Sequence, residues 1–305
     1  MTSQLSRRRL LKILAASPIA LAAGPLTAAP LAVWRGQALG AHAEIYFAGL
    51  SEDAAAPLFE RIEATLVRIE MLFSLYRRES ALSRLNHQGR LDAPPPEFLE
   101  ILALASAAHH ATGGLFDPTV QPLFAAHAEG RSGDSAARAL IGMEKVVFDA
   151  DAVRLEPGMA LTLNGIAQGF ATDRIAALLR DAGLVDVLVD IGEIAALGLP
   201  EPSQIGWPVR LPDGQLLHLR DRAIATSSWS GTMVGSTGHI FRPDGLPITD
   251  LPLGVSVLHK SAAMADALST AAAVMTQAER EALAGRGVEM IVAGESTPAK
   301  LTPSS

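Results

Sequence analysis

Apolar residues recur at helical spacing in a few long stretches and in short strand-like runs between them. Leu58, Ile62, Leu66, Ile69 and Leu72 fall three or four apart, which predicts a helix with one apolar face. Ser51 precedes this stripe as a cap. Glu52 and Asp53 place negative charge in the first turn, where unpaired N–H groups favour it. Pro94-Pro95-Pro96 opens a second helix over 97–110, and Gly113-Gly114 stops it. A third helix is predicted from about 167 to 182, ended by Gly183, and an alanine-rich fourth over 262–277. Strand-like runs fall at 43–48, 145–148, 153–155, 160–163, 187–191, 223–226, 252–259 and 288–293. The runs 209–211 and 215–219 flank Pro212-Asp213-Gly214 and predict a hairpin. The segment 73–86 reads as polar and irregular, and 125–138 as an exposed excursion. Helices mixed with hairpin-like strands, and no internal repeat, point to an α+β fold and not a doubly wound sheet.

The N-terminus departs from this pattern. Ser6-Arg7-Arg8-Arg9-Leu10-Leu11-Lys12 is followed by a short apolar run from Ile13 to Ala23. A basic region, a short apolar region and small residues beyond it describe a signal peptide, here residues 1–29, and the arginine pair points to twin-arginine export to the periplasm. Cleavage after Ala22 or after Ala29 fits, and a short uncleaved anchor is the competing reading. The run is too short for an ordinary membrane span, which needs about 20 residues.

The chain has 305 residues and a formal charge of −7; without Arg7, Arg8, Arg9 and Lys12 the charge falls to −11. An acidic mature protein is a poor match for nucleic acid or an anionic membrane surface. A bound phosphate would have to be held locally, by a metal, backbone N–H groups or single basic residues. There is no cysteine, which excludes disulfides, thiolate catalysis and cysteine-ligated metal centres.

Four constellations carry candidate chemistry. Asp266, Ser269 and Thr270 share one helix face and form an oxygen cluster suited to Mg²⁺; a solvated helix face describes them equally. Asn164-Gly165-Ile166-Ala167-Gln168-Gly169 links a strand to a helix N-terminus, where glycines and free N–H groups suit phosphate; plain strand–helix packing is the alternative. Asp117, in Gly114-Leu115-Phe116-Asp117-Pro118-Thr119, is either a ligand acceptor or an Asx turn before Pro118. His239, in Gly238-His239-Ile240-Phe241-Arg242-Pro243, is a general-base candidate or a capping histidine.

Taken in order, these segments resemble the ApbE-like FAD:protein FMN transferases, with matches running from Leu39 to Met275. The stretch 73–86, ending Ser83-Arg84-Leu85-Asn86, is similar to the family's tyrosine-containing segment. Residues 114–120 resemble its Phe-Asp-Pro-Thr loop, 163–173 its glycine-rich segment and Ala225-Thr226-Ser227 its Thr-Ser turn. His239-Ile240 with Pro243, and Ala265 to Thr270, resemble its histidine segment and metal helix.

The resemblance implies a single compact catalytic domain over 30–305, built of mixed sheets with packed helices. It implies Mg²⁺ between the Gly165 carbonyl and the side chains of Asp266, Ser269 and Thr270, with His239 as base. FAD contacts would come from Leu39, Tyr76, Leu115, Phe116, Asp117 and the positions of Thr162 and Gln168, with Ile224 packed on the pocket. The implied reaction moves FMN from FAD to a Thr or Ser hydroxyl of an exported or membrane flavoprotein and releases AMP. The twin-arginine signal is similar to that of the NosX-like subgroup, whose acceptor is of the NosR type. The sequence departs from the pattern at Thr162, where aspartate is usual, and at Gln168, where lysine or glutamate is usual. Arg242 also stands in place of aspartate, and Glu193 in place of a second glycine. By the resemblance the changes at Thr162, Gln168 and Arg242 touch FAD or the acceptor, and they support an alternative, an FAD-binding carrier without transfer; a Mg²⁺-dependent FAD hydrolase is a further alternative that the resemblance leaves open.

Overall fold

The computed structural model describes residues 20–21, 31–131, 135–231, 233–234 and 237–293. The expected export signal, residues 1–29, lies outside the described residues apart from Ala20–Leu21. The elements run β1 (Ala20–Leu21), β2 (Leu31–Ala38), β3 (Ala41–Ala48), α1 (Glu52–Phe73), α2 (Ala81–Gln88), β4 (Arg90–Asp92), α3 (Pro96–Ala111), α4 (Gln121–Ala128) and α5 (Ser135–Ala139). There follow β5 (Val147–Phe148), β6 (Ala152–Arg154), α6 (Ala167–Asp181), β7 (Val187–Asp190), β8 (Ile194–Leu197), β9 (Trp207–Arg210), β10 (Leu216–Leu219) and β11 (Arg222–Ser227). The chain closes with β12 (Met233–Val234), β13 (Thr237–Gly238), β14 (Val255–His259), α7 (Ala262–Ala272), α8 (Gln277–Gly285) and β15 (Glu289–Val292).

One seven-stranded sheet, in the order β15-β14-β11-β8-β7-β3-β2, organises the molecule. Every neighbouring pair in it is antiparallel, as an α+β fold requires. Alternation along β7 divides two cores: Val187 and Val189 join the cluster under the helices, and Leu188 joins the cluster on the other face. The first cluster takes in Ile62, Leu66 and Ile69 from the α1 stripe, Phe98 and Leu102 from α3, and Phe170 and Ile175 from α6. Phe73 packs edge-on against Phe170 at 5.5 Å, which ties α1 to α6. The second cluster is capped by the β9–β10 hairpin, whose buried Trp207 donates to the Leu197 carbonyl at 2.9 Å.

Two features set up the site. Leu39 and Gly40, with φ of +50° and +83°, form the two-residue turn between β2 and β3. Both residues at positive φ match the mirror-image turns that follow strand twist. The second feature is the crossing of α6 and α7. A Cβ at Gly169 would lie 2.3 Å from the Ala262 carbonyl oxygen, so only glycine lets the backbones approach this closely. Asp173, one turn further along α6, caps α7. It accepts from the Ser261 hydroxyl at 2.6 Å and from the Ala262 and Ala263 N–H groups at 2.7 and 3.0 Å.

Several expected elements differ. Residues 73–86 are not irregular throughout: Ser80 caps α2 through the Ser83 N–H at 3.0 Å. Residues 160–163 join no sheet; the Asn86 amide brackets Leu161, donating to its carbonyl at 2.8 Å and accepting from its N–H at 2.7 Å. A side chain there replaces a neighbouring strand. The excursion at 125–138 contains the end of α4 and all but the last residue of α5. The fourth helix breaks after Ala272, and α8 starts afresh with a capping box between Thr276 and Glu279. Strands β2 and β8 carry no signal that periodicity could read, β8 because all four residues are buried.

Candidate functional site

A cavity of about 310 Å³ opens where the Leu75–Tyr76 loop, the 115–118 loop, the start of α6, the end of β11, the 239–241 segment and α7 converge. A second cavity of about 210 Å³ shares Leu75, Tyr76, Asn164 and Gln168 with it and extends to Leu39 and Gly40 at the β2–β3 turn. Sharing these four residues, the two cavities form one two-part cleft within the usual size range of ligand sites.

Each wall is held by its own local chemistry. On the first, the Ser74 side chain accepts from the N–H groups of Tyr76 and Arg77 at 3.1 and 3.3 Å, and the Ser74 carbonyl takes hydrogen bonds from the Ser80 and Ser83 hydroxyls. Tyr76 stands half-exposed at the junction of the two cavities, and burial raises its phenol above the ordinary value. On the second wall the Thr112 hydroxyl accepts from the Phe116 N–H at 2.9 Å. Asp117 accepts from the Thr119 N–H and hydroxyl and from the Met143 N–H, with His109 Nδ1 at 3.5 Å. Both of its oxygens are committed to the fold, so the Asx-turn reading of Asp117 describes its bonds, although the residue also borders the cavity.

The third wall is the α6–α7 crossing. Asp266 accepts from the Gly169 N–H at 3.1 Å and lies next to a row of hydroxyls. The Ser227 hydroxyl, at the end of β11, meets Ser269 Oγ at 2.8 Å and Thr270 Oγ1 at 3.5 Å. Gly165 faces Thr270 so closely that a Cβ there would lie 2.9 Å from Thr270 Oγ1. Glu193 joins Asp266 in the lining. Burial pushes Asp266 up to about 7. Burial first, then the Asp266 and Asp190 charges, raise Glu193 well above the usual carboxylate range. No lysine or arginine lines this cavity among the described residues. This part of the cleft is therefore acidic and rich in oxygen. Among the described residues no three His, Cys, Asp or Glu side chains gather closely enough to hold a metal. The oxygens gathered here are instead carboxylates mixed with hydroxyls.

With this geometry in view, the profile of the ApbE family matches residues 39–292. The chain belongs to the ApbE family. It is 28% identical over 250 residues to the FAD:protein FMN transferase of Vibrio cholerae, spanning 73% of this chain and 75% of that protein. It is 26% identical over 301 residues to the FAD:protein FMN transferase of Salmonella typhimurium, spanning 87% and 85%. The crystal structure of the Pseudomonas stutzeri flavinyl transferase ApbE, apo form, superposes with a TM-score of 0.75 at 28% identity, over 87% of this chain and 92% of that one. The flavin transferase ApbE of Vibrio cholerae superposes with a TM-score of 0.72 at 26% identity, over 86% and 94%.

In this ApbE-family chain most of the residues singled out in the sequence meet at one place. Tyr76, Leu115, Phe116, Asp117, Thr162, Gly165, Gln168, His239, Asp266 and Thr270 all line the first cavity, and Leu39 lines the second. Two do not reach the lining. Ser269 is fully buried, its hydroxyl bonded to the Asp266 carbonyl at 3.0 Å and to Ser227. Ile224 is packed in the second core with Leu188 and Trp207. Arg242, expected to touch ligand or acceptor, turns inward instead. Its guanidinium binds Asp244, Glu279 and the Val274 carbonyl through five hydrogen bonds. It thereby anchors the segment after His239 to the start of α8. Among the lining residues not singled out as site residues are Phe124, Glu193, Ser227 and Ser228. Ser227 had a signal, as the last residue of the Thr-Ser turn, and Glu193 had one as a departure from the family pattern; Phe124 and Ser228 had none.

Proposed function

We propose that this chain is an FAD:protein FMN transferase that uses a divalent cation, Mg²⁺, and releases AMP. The observation that carries the reading is the convergence of Tyr76, His239, Asp266 and Thr270 on one cleft of two joined cavities. The family and the names of its relatives support the same activity. The donor chemistry fits a hard cation: a buried carboxylate on Asp266, hydroxyls on Thr270 and Ser227, and the nearby Gly165 backbone. When bound, such an ion neutralises the diphosphate and stabilises charge building on the transferred phosphorus.

The chain's own residues do the rest. The acidic third wall would repel an uncompensated diphosphate, so the diphosphate would be accepted there only with a cation held by Asp266 and Thr270. Tyr76 and the 115–117 loop offer apolar and aromatic surface for rings at either end. His239 borders the same cavity and accepts the proton of the acceptor hydroxyl. A bond from that oxygen to the phosphorus of the FMN half forms as the bond to the AMP phosphate oxygen breaks. Thr162 and Gln168 replace charged residues with neutral ones at the lining, which leaves room for binding without adding repulsion.

The acceptor is proposed to be an exported or membrane flavoprotein of the NosR type, met in the periplasm after twin-arginine export. The test is to incubate the chain with FAD, Mg²⁺ and an acceptor peptide carrying Asp-x-x-[Ser/Thr]-Gly-Ala-[Ser/Thr]. Mass spectrometry of the peptide should show covalent flavin, and His239→Ala should slow transfer by about 10²–10⁴-fold. Bound flavin without a covalent adduct would identify a carrier. FMN and AMP formed without peptide modification would identify a hydrolase.

A further inference from the structure

Glu193 sits just before β8, 2% exposed, and lines the main cavity together with Asp266, 3% exposed. The Thr226 backbone lies close enough to its carboxylate to favour the charged form, against the larger effect of burial. Its Oε2 has no hydrogen-bond partner. Gln168, in the same lining and 5% exposed, leaves its Nε2 equally unpartnered. Gly192 makes room for that amide, since a Cβ at 192 would lie 2.6 Å from Gln168 Nε2.

A buried carboxylate oxygen without a partner is unfavourable to hold charged, because burial has removed the water that would solvate it. Here two buried carboxylates share one cavity, and no lysine or arginine among the described residues lines it. The complement to such an arrangement is positive, small enough to sit among packed side chains, and hard enough to prefer oxygen. Mg²⁺ is held by one or two carboxylates, with waters and substrate phosphates completing its shell. One carboxylate leaves the ion dependent on the phosphates. A second supplies enough charge to capture it directly.

We infer that Glu193 is a second carboxylate of the cation site, sharing a divalent ion with Asp266 and allowing the ion to bind before the dinucleotide arrives. The inference rests on the cation reading above and extends it to a residue outside the metal helix and to an order of binding.

The test is a titration of the full chain with Mn²⁺, free of FAD and acceptor, read from the electron paramagnetic resonance of free Mn²⁺. A parallel calorimetric titration uses Mg²⁺. The wild type should bind Mn²⁺ without FAD. Glu193→Gln should weaken binding by about 10–100-fold, the range seen when groups around a metal are altered. Asp266→Asn serves as the positive control. Equal Mn²⁺ affinity in Glu193→Gln and the wild type overturns the inference, as does a wild type that binds Mn²⁺ only once FAD is added. If Glu193→Gln loses its native circular dichroism, Glu193→Asp keeps the charge and withdraws the oxygens; unchanged Mn²⁺ affinity in that variant also overturns it. The two readings separate cleanly. Peptide flavinylation alongside Mn²⁺ binding indifferent to Glu193 ends this inference alone. Glu193-dependent Mn²⁺ binding without flavinylation under any condition ends the transferase reading alone.

Discussion

Replacing Arg242 by methionine should cost about 3 kcal/mol of stability. The guanidinium is almost fully buried and makes five hydrogen bonds: two to Asp244 at 3.0 and 2.6 Å, two to Glu279 at 2.8 and 3.0 Å, and one to the Val274 carbonyl at 3.0 Å. Methionine fills much of the volume but donates nothing. The buried Val274 carbonyl is left unsatisfied, at about 1–3 kcal/mol. Removing one partner of a fully buried pair costs about 3–5 kcal/mol. Here Asp244 and Glu279 are each over a third exposed and can rehydrate, which brings the total toward the lower end. For a domain of this size that corresponds to a fall of about 5 °C in Tm. Thermal unfolding followed by circular dichroism measures it, with Arg90→Met, an exposed pair with Asp92, as the control expected to move by less than about 2 °C. The pH dependence gives a second check. The Arg242 hydrogen bonds hold Glu279 down to about 2. A depressed carboxylate contributes stability that is full above its unfolded value and is lost as pH falls through the folded one. The wild type should therefore lose this contribution between about pH 4.5 and 2, and the variant should lack that part of the slope. A Tm within 2 °C of wild type, together with an unchanged acid slope, would refute the assignment of Arg242 as the anchor of this segment.

Three further outcomes are expected. Gly169→Ala drives a methyl into the Ala262 carbonyl, so α6 and α7 must separate. Stability should fall by about 1–3 kcal/mol in urea denaturation, and flavin affinity should fall with it; unchanged values would show that the crossing is slack. Asn86→Leu removes both hydrogen bonds to Leu161 and strands its N–H and carbonyl. A loss of about 2–4 kcal/mol in chemical denaturation is expected, and a loss under 1 kcal/mol would mean that water replaces the amide. Ser227→Ala should leave Tm nearly unchanged while weakening Mg²⁺ binding in calorimetry; equal affinity would limit Ser227 to a structural contact with Ser269.

Features that depend on neighbouring residues were legible in the sequence. The α1 stripe and its Ser51 cap, the stop after α3 and the β9–β10 hairpin all follow from local spacing and turn chemistry. Features that depend on distant partners were not. Strand β8 is buried along its whole length, so no alternation marks it. Residues 160–163 have the composition of a strand, but their partner is the Asn86 side chain, 75 positions away. The site divides in the same way. Positions within one motif, such as Asp266 with Thr270, are brought together by helix geometry alone. Ser227 and Glu193 enter only because β11 and the β7–β8 turn end beside that helix. Helix spacing placed Ser269 on the same face as its neighbours, yet its buried hydroxyl sits behind the lining, bonded to Ser227. Arg242 shows that a changed residue inside a motif can be absorbed by the interior, and composition alone gives no direction to a side chain.

The buried face of α7 is made almost wholly of alanine, with Ala262, Ala263, Ala265, Ala267, Ala271 and Ala272 all inside. Side chains this short have no rotamers to exchange, so the helix lies on its neighbours at distances set by main-chain contact. The depth of Asp266 is thus calibrated by the backbone and not by how larger groups happen to interlock. Drift in the surrounding loops can reshape the ends of the cleft while the oxygens of Asp266 and Thr270 keep their spacing.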